Sequence, residues 1–242
     1  MANITRKWHR FMALSCSHGE YADPACLRAV LDFKQRWKPK TTLHLGDAFD
    51  FRVLRANASA ADECGEMDGD LTSGVEFLKA LRPNVFFYGN HEDRLRTLMG
   101  HPRAIVSGLA CRVNSQITDV CQRQKTEVVQ YHQKTGWRQY GSALFGHGYY
   151  HGAQALRDTI ESHTSQHTVI GHLHRVQHLA GRRSDNPQGY CVGWLGSEMD
   201  YSKNRRETLT WARGWAWGEY CDNASIIWLA RETTPGEFRL PV

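Results

Sequence analysis

Short apolar runs alternate with amphipathic stretches along most of the chain. Five of these runs are bounded by polar or glycine residues, which is the pattern expected of short buried strands. A sixth predicted strand, at residues 224–232, lies near the end of the chain. The first five predicted strands cover residues 11–16, 41–47, 84–90, 142–148 and 167–174.

The stretches between these runs have the periodicity of helices. Apolar residues recur on one face of residues 25–38, and Asp23 and Pro24 stand ahead of them as a predicted N-cap and first helical residue. A second helix is predicted at residues 73–82, with Ser73 as its cap. The other predicted helices cover residues 91–99, 153–163 and much of the polar region 102–134.

Strand and helix alternate as far as about residue 175, after which glycine, aromatic and turn residues dominate. This order of elements favours an α/β fold with a strand-rich tail. The chain has no internal repeat, low-complexity segment or evident linker. A single domain covering residues 1–242 is therefore predicted.

Composition places the chain among ordinary globular proteins, since 41% of its 242 residues are hydrophobic and 23% are charged. No apolar stretch approaches the roughly 20 residues that span a bilayer. The N-terminal apolar run is too short for a signal peptide, so a cytoplasmic location without a membrane partner is expected. Seven scattered cysteines, without a Cys-x-x-Cys pair, favour reduced thiols. The net charge of +5 permits an anionic partner without demonstrating one.

Polar side chains of ligand type follow five of the predicted strands at the point where each strand ends. Glycine accompanies most of these clusters, and it lets the backbone bend sharply and approach a ligand closely. The clusters are Cys16-Ser17-His18, Gly46-Asp47-Ala48-Phe49-Asp50, Gly89-Asn90-His91-Glu92, Gly146-His147-Gly148 and Gly171-His172-Leu173-His174.

These clusters predict a metal site. The carboxyl ends of parallel strands lie at one edge of a sheet, so residues distant in sequence converge there. Histidine, aspartate and asparagine are metal-ligating residue types. The set is large enough for two ions, because a single zinc ion takes three or four protein ligands.

In their order and their position at strand ends, the five clusters resemble the sequence blocks of the calcineurin-like metallophosphoesterases: Asp-x-His, Gly-Asp-x-x-Asp, Gly-Asn-His-Glu/Asp, Gly-His and Gly-His-x-His. The resemblance covers about the first 180 residues. It implies a four-layer α/β/β/α sandwich and hydrolysis of phosphate esters at two divalent transition-metal ions (Mn, Zn or Fe). Two longer segments, LHLGDAFDFRVLR and FFYGNHEDRLRTL, are similar to the phosphoesterases often encoded by bacteriophages.

The resemblance also implies roles for individual residues. His18 and His174 would bind the first metal, and Asp47 would bridge both. His91 would contact the phosphate or assist the leaving group, and Asp50 would orient and charge that histidine. The residues that would bind the second metal are Asn90, His147 and His172.

Cys16 stands where the family has an aspartate ligand of the first metal. Three interpretations follow. The thiol is a thiolate ligand that shifts the preference towards zinc; or it is a spectator beside a weakened first site; or it marks an enzyme that has lost activity. Because every other ligand position is filled, retained metal binding is favoured, and the sequence does not separate the first two interpretations.

Other residues near the clusters are weaker candidates. Arginines that follow the clusters could bind phosphate through two parallel hydrogen bonds, although a solvated role is as frequent. Trp211, Trp215 and Trp217 could stack on bases, although tryptophan is more often a core residue. His44 is treated as structural or surface, and His151 stays a weak candidate because it lies close to His147. The arginines assigned to substrate binding are Arg52, Arg94 and Arg175.

The sequence thus predicts a dinuclear, metal-dependent phosphoesterase whose substrate is a phosphodiester in a nucleotide or in DNA or RNA. One alternative is a phosphomonoesterase, including a protein phosphatase. The other is a metal-binding interaction module with little or no catalysis. Metal identity, natural substrate, cleavage polarity and oligomeric state are left open.

Overall fold

The computed structural model describes residues 6–55, 67–163, 166–197 and 210–240, and their strands form two sheets. Strands are numbered in chain order, and the first sheet has the order β12-β11-β10-β1-β2-β3-β4. Strands β1 to β4 pair in parallel, whereas β10, β11 and β12 join antiparallel on the far side of β1. The strands are β1 (His9–Leu14), β2 (Thr41–His44), β3 (Val85–Phe87), β4 (Glu127–Val129), β10 (Gly214–Cys221), β11 (Ala224–Thr234) and β12 (Glu237–Phe238).

The second sheet has the order β5-β6-β7-β9-β8. Its three middle strands, β6, β7 and β9, are parallel, and the two edge strands run antiparallel to their neighbours. These strands are β5 (Trp137–Tyr140), β6 (Ala143–Gly146), β7 (His167–Ile170), β8 (Val176–Ala180) and β9 (Gln188–Val192).

Helices cover the outer face of each sheet. At the start of α1 (Pro24–Trp37), the Asp23 carboxylate accepts hydrogen bonds from the backbone N–H groups of Ala25 and Cys26 at 2.8 and 3.1 Å. The predicted Asp23 cap is therefore confirmed. The other α-helices within the described ranges are α2 (Met67–Leu81), α3 (Asn90–Met99), α4 (Ala104–Gln124) and α5 (Ala155–Ser162).

The two sheets pack face to face, and side-chain alternation along the strands builds the layers. In β1, Phe11 points between the sheets and meets Phe145 of β6 edge to face at 5.2 Å. Its neighbour Met12 points the other way, into the core under α1 and α2. On the opposite side, Leu156 and Ile160 of α5 cover the second sheet. The α/β fold and its four layers, α/β/β/α, agree with the prediction.

Some predicted elements were wrong in detail. Ser73 does not cap a helix, because α2 already begins at Met67 and Ser73 lies inside it. The region predicted to be largely helical contains α4 but ends in strand β4, and edge strand β5 was not predicted. Both strands are short and only partly buried, so they lack a continuous apolar run. None of the helices in the described parts of the chain is long and apolar enough to cross a bilayer.

Trp215 and Trp217 are core residues. They lie in β10, are 0% and 3% exposed, and pack against Phe33 of α1. Neither is available to stack on a base, so that candidate role is excluded for both.

Candidate metal centre

All five polar clusters meet at one edge of the sandwich. Three of them follow β1, β2 and β3 of the first sheet, and two follow β6 and β7 of the second. From the sequence, all five strand ends are expected along the edge of one parallel sheet. The structure instead builds the site between two sheets, whose carboxyl ends lie side by side.

The first donor group consists of Cys16, His18, Asp47 and His174, all of which are buried. One ligand atom from each lies within 4.8 Å of the others. The Nε2 atoms of His18 and His174 are only 3.0 Å apart and face each other. Two imidazole nitrogens directed at one point are suited to share a cation between them.

The second donor group consists of Asp47, His147 and His172. The Asn90 side-chain oxygen joins it, lying 3.0 Å from His147 Nε2 and 2.9 Å from His172 Nδ1. An Asp47 oxygen, Oδ2, lies 3.2 Å from His147 Nε2. Asp47 therefore belongs to both groups, at the place that a bridging carboxylate would occupy.

The charge states of most of these side chains suit metal binding. The exception is His147, because burial would lower its pKa but the neighbouring Asp47 outweighs burial and raises it. Burial and the neighbouring His18 hold the pKa of His174 well below its ordinary value. Burial and the neighbouring His147 lower the pKa of His172 to about 3. Both rings are therefore neutral, which is the form that binds a metal. Burial alone would raise the pKa of Asp47, but His147 and His91 outweigh burial and keep it ionised.

Hydrogen bonds outside the donor groups hold two of the rings in place. His147 donates from Nδ1 to the Leu45 carbonyl at 2.7 Å, which leaves Nε2 directed at Asp47 and Asn90. His172 has Nε2 3.0 Å from His151 Nδ1, and its own Nδ1 faces the donor group. The weak candidate His151 thus contacts a donor residue from outside, and it is not among the donors.

Cys16 is fully buried, and its Sγ belongs to the first donor group. The Ser15 hydroxyl lies 3.1 Å from the sulfur. Burial and the nearby Asp47 raise the pKa of this thiol well above its ordinary value. Without a cation the thiol is therefore protonated, and a bound cation would have to displace that proton.

His91 lies beside the two groups that contain Asp47, with its Nε2 3.8 Å from Asp47 Oδ2, and it forms a third group of possible metal donors with His18 and Asp50. Its Nδ1 donates to the Asp50 carbonyl at 2.7 Å and lies 3.2 Å from the Asp50 carboxylate. The same carboxylate oxygen lies 3.2 Å from His18 Nδ1. Asp50 therefore contacts two histidines, whereas the sequence assigned it to His91 alone.

Burial would raise the pKa of Asp50, but hydrogen bonds to His18 and His91 outweigh burial and hold it well below its ordinary value. The carboxylate is thus ionised at neutral pH. It therefore places a negative charge 3.2 Å from a nitrogen of each ring.

The backbone is unusual where the proposed ligands lie. Five of them have a left-handed conformation, which is uncommon for residues other than glycine and which clusters at functional sites. All five belong to the polar clusters that follow the strands. They are Cys16 (φ 57°), His18 (φ 54°), Asp47 (φ 53°), His172 (φ 63°) and His174 (φ 57°).

Two glycines allow the turns after β2 and β3 to approach each other. Gly46 has φ 101°, and a Cβ there would overlap the backbone of Gly89 and the ring of His147. A Cβ on Gly89 would overlap the Asp47 carboxylate. Only glycine fits at these two positions, because the two turns approach each other; the sequence had suggested close approach to a ligand instead.

Sequence reasoning missed two buried carboxylates that support the site. Glu92 accepts hydrogen bonds from the backbone N–H groups of Asp47, Ala48, Phe49 and Gly89, and so fixes the loop that carries Asp47. Burial and the nearby Asp47 raise the pKa of Glu92 to about 7. Glu92 could have been found from the sequence, because it is the last residue of the Gly-Asn-His-Glu cluster. No role is predicted for it from the sequence.

The second missed carboxylate is Asp70 of α2. It accepts hydrogen bonds from the backbone N–H groups of Asp50 and Phe51 at 2.8 to 3.1 Å. No motif marks this aspartate. Its role depends on α2 beginning earlier than the sequence predicted.

A cleft of about 260 Å³ opens over the donor groups. Arg94 and Arg55 line it, and Trp211 closes one side with its ring 4.6 Å from the His174 ring. Arg52 instead lies over the Tyr21 ring at 4.3 Å and 3.5 Å from Asp50, and Arg175 donates to the Gly152 carbonyl. Of the three predicted substrate arginines, only Arg94 is among the described residues that line this cleft.

His44, for which the sequence predicts a structural or surface role, is fully buried at the end of β2, beside β3. Its Nε2 lies 3.2 Å from the Ser17 hydroxyl, and its Nδ1 accepts a hydrogen bond from Gly46. Burial lowers its pKa to about 3. It is therefore a neutral histidine that supports two of the turns without entering either donor group.

No protein-family model matches this chain, and no curated protein matches it. Solved structures similar to it include a single mutant of Vps29 from Entamoeba histolytica, with 12% identity, 95% of this chain and 96% of that chain covered, and a TM-score of 0.47. YfcE, a phosphoesterase from E. coli, has 13% identity, 90% and 96% coverage, and a TM-score of 0.39. The nuclease MPE of Pseudomonas putida has 14% identity, 90% and 87% coverage, and a TM-score of 0.38. At these low values, the assignment of the site rests on its own side chains.

Proposed function

We propose that this chain is a calcineurin-like metallophosphoesterase that hydrolyses phosphodiesters at two divalent metal ions. One observation carries the proposal: two donor groups share Asp47 at one edge of the sandwich, under a cleft that contains arginine. The donor set also fits the ions, because it combines imidazoles, of which His172 and His174 are held neutral, with an ionised carboxylate and an amide oxygen.

In this proposal, Cys16, His18, Asp47 and His174 hold the first ion. Two bound cations would neutralise the negative charge of the ester and activate water for in-line attack. The side chains of the protein would hold these ions in position. The residues that hold the second ion together with Asp47 are Asn90, His147 and His172.

His91 belongs to neither group that contains Asp47, although it shares a third group with His18 and Asp50, and this place suits a residue that contacts the phosphate or the leaving group. Protonated at Nε2, it would donate a proton to the departing oxygen, and ionised Asp50 at 3.2 Å from Nδ1 would favour the charged ring. Arg94 would bind a phosphate oxygen, because it lines the cleft and donates to the Asp50 carbonyl next to His91.

A phosphodiester of a nucleotide or of DNA or RNA is the proposed substrate class. Arg94, Arg55 and Trp211 together offer cations and an aromatic ring beside the donor groups. The likeness of residues 43–55 and 86–98 to phage-encoded phosphoesterases supports the same class. A cytoplasmic location and Mn, Zn or Fe as the bound ions belong to this proposal as well.

Paired assays test the substrate class. Protein purified without chelator should hydrolyse bis-p-nitrophenyl phosphate faster than p-nitrophenyl phosphate. It should bind short DNA with an affinity that falls steeply as salt rises, because phosphate contacts release counterions. A strong preference for the monoester, with no DNA binding at low salt, would identify a phosphomonoesterase instead.

The third candidate function is a metal-binding interaction module. Bound metal without hydrolysis of either ester would favour it. Elemental analysis combined with the two ester assays therefore separates this candidate from both enzymes.

We further propose that Cys16 is a thiolate ligand of the first ion, because its sulfur lies within the first donor group. Cys16→Ala should then reduce the metal content from two ions towards one. The loss should exceed the roughly 10–100-fold fall in affinity that follows removal of an outer partner of a ligand. Cys16→Ser should resemble Ala, because a neutral hydroxyl replaces thiolate poorly. Cys16→Asp should retain two ions and shift the preference from zinc towards manganese.

Metal titration of the three Cys16 variants decides between ligand and spectator. A spectator thiol predicts that Ala and Ser bind two ions as the parent does and that Asp tightens the first site. Cys191→Ser is a matched control, since this cysteine is also buried and free but belongs to neither donor group. Its metal content should stay at the parental value.

A further inference from the structure

A second cleft, of about 390 Å³, lies between β5 and α5. Its volume falls within the range of small-molecule binding sites. The rings of Trp137, Tyr149, Tyr150 and His163 line it, and all four are half-buried. Lys134 is the only charged side chain, other than a titratable histidine, among the described residues that line it. Aromatic rings favour a planar ligand that can stack on them. The lysine favours a ligand that also carries negative charge.

One segment of chain joins this aromatic cleft to the metal centre. His147 belongs to the second donor group, and Tyr149 and Tyr150 line the cleft immediately after it. Two residues of extended backbone span at most about 7 Å, so the Cα atoms of His147 and Tyr149 are no further apart than that. Trp137 reaches the same edge, because it pairs with Gly146 at the end of β6.

The rings of the aromatic cleft are held in fixed positions. Tyr149 stacks on Tyr131 with ring centroids 4.6 Å apart, and its hydroxyl accepts a hydrogen bond from the His132 N–H at 2.8 Å. Trp137 donates from Nε1 to the Gln133 carbonyl at 2.9 Å and meets the His163 ring edge to face at 4.4 Å. Rings held in this way lose little freedom when a ligand binds.

We infer that the aromatic cleft binds an unpaired base of the nucleic-acid strand whose phosphate lies at the metal centre. The inference rests on the proposed function, and it adds a recognition element to it. Aromatic side chains bind single strands by stacking on bases, and a cation beside them binds the backbone. The absence of carboxylates among the described residues that line the cleft suits a polyanion.

Fluorescence anisotropy of labelled single strands, in phosphorothioate form so that they resist cleavage, tests the inference on the metal-loaded protein. Trp137→Leu should weaken the affinity about five- to a hundredfold, the range that corresponds to loss of one stacked base. Trp137→Phe should restore most of it. Trp228→Leu is the matched control, because Trp228 is 40% exposed on β11 of the other sheet, and it should bind as the parent does.

A strand of the same length and charge that lacks bases separates stacking from charge. It should bind the parent protein as weakly as the normal strand binds Trp137→Leu. Equal affinity of the normal and abasic strands, or an unchanged affinity in Trp137→Leu, would overturn the inference. DNA and RNA strands compared in parallel identify which sugar the site prefers.

Lys134→Glu provides a second variant on an exposed residue, in case Trp137→Leu does not fold. It should weaken binding and reduce the salt dependence by about one ion. Hydrolysis of bis-p-nitrophenyl phosphate tests the proposed function separately, since that ester has no base. If that ester is hydrolysed in a metal-dependent way while the variants bind strands normally, the phosphoesterase proposal stands and base recognition by this cleft is wrong.

Discussion

Removal of metal with EDTA should abolish ester hydrolysis, and Mn²⁺ or another transition-metal ion should restore it. The side chains of the two donor groups converge in a way that suits cation binding. In the first group, for example, the Nε2 atoms of His18 and His174 face each other at 3.0 Å. Activity before and after chelation, with elemental analysis of the same samples, measures the effect. Undiminished turnover in protein shown to lack metal would contradict the two-metal proposal.

Thermal unfolding provides an independent readout of the same experiment. An ion that binds only the folded chain stabilises it by mass action, so the Tm should fall on chelation and recover with added metal. A dialysed sample never exposed to chelator controls for handling. The circular dichroism spectrum should stay that of a folded protein throughout, because the hydrophobic core does not include the donor groups apart from Cys16.

His91→Ala should lower kcat by about 10²–10⁴-fold, the usual range for loss of general acid or base catalysis. Metal content should change little, since His91 lies beside the two groups that contain Asp47 and belongs to neither. The contact of its Nδ1 with Asp50 suits a role in proton transfer. Steady-state kinetics and elemental analysis on the same preparation separate catalysis from metal binding.

His178→Ala is a suitable control for that substitution, because His178 is exposed on β8 and lies outside every donor group. Its kcat should equal the parental value. Asp50→Asn should behave differently from His91→Ala, because Asp50 also contacts His18 and its loss should weaken metal binding as well. If His91→Ala loses an ion and regains full activity when metal is added back, His91 is a ligand and its assignment to proton transfer is wrong.

Much of the fold could be predicted because the buried strands are short apolar runs that end in glycine or polar residues. The same pattern located each cluster of the candidate site, since ligand-type residues stand directly after β1, β2, β3, β6 and β7. Short edge strands were harder. β4 and β5 are only partly buried, so neither has the continuous apolar run by which a strand is recognised.

Contacts that depend on tertiary packing could not be predicted. Asp70 supports the Asp50 backbone from a helix turn that no local signal ties to the site. Arg52 and Arg175 follow clusters in sequence as Arg94 does, yet only Arg94 lines the cleft. The sequence pattern predicts where a strand ends. The direction of a long flexible side chain depends on the residues that it contacts in the folded protein.

The left-handed backbone at five proposed ligands limits how this protein could be stabilised. Each such residue other than glycine costs roughly 1–2 kcal/mol, whereas an entire domain is typically stable by only about 5–15 kcal/mol. Glycine would relieve the strain at Cys16, His18, Asp47, His172 or His174, but it would remove a donor each time. Gains in thermal stability must therefore be sought elsewhere in the sandwich, because at this edge stability and activity are in direct competition.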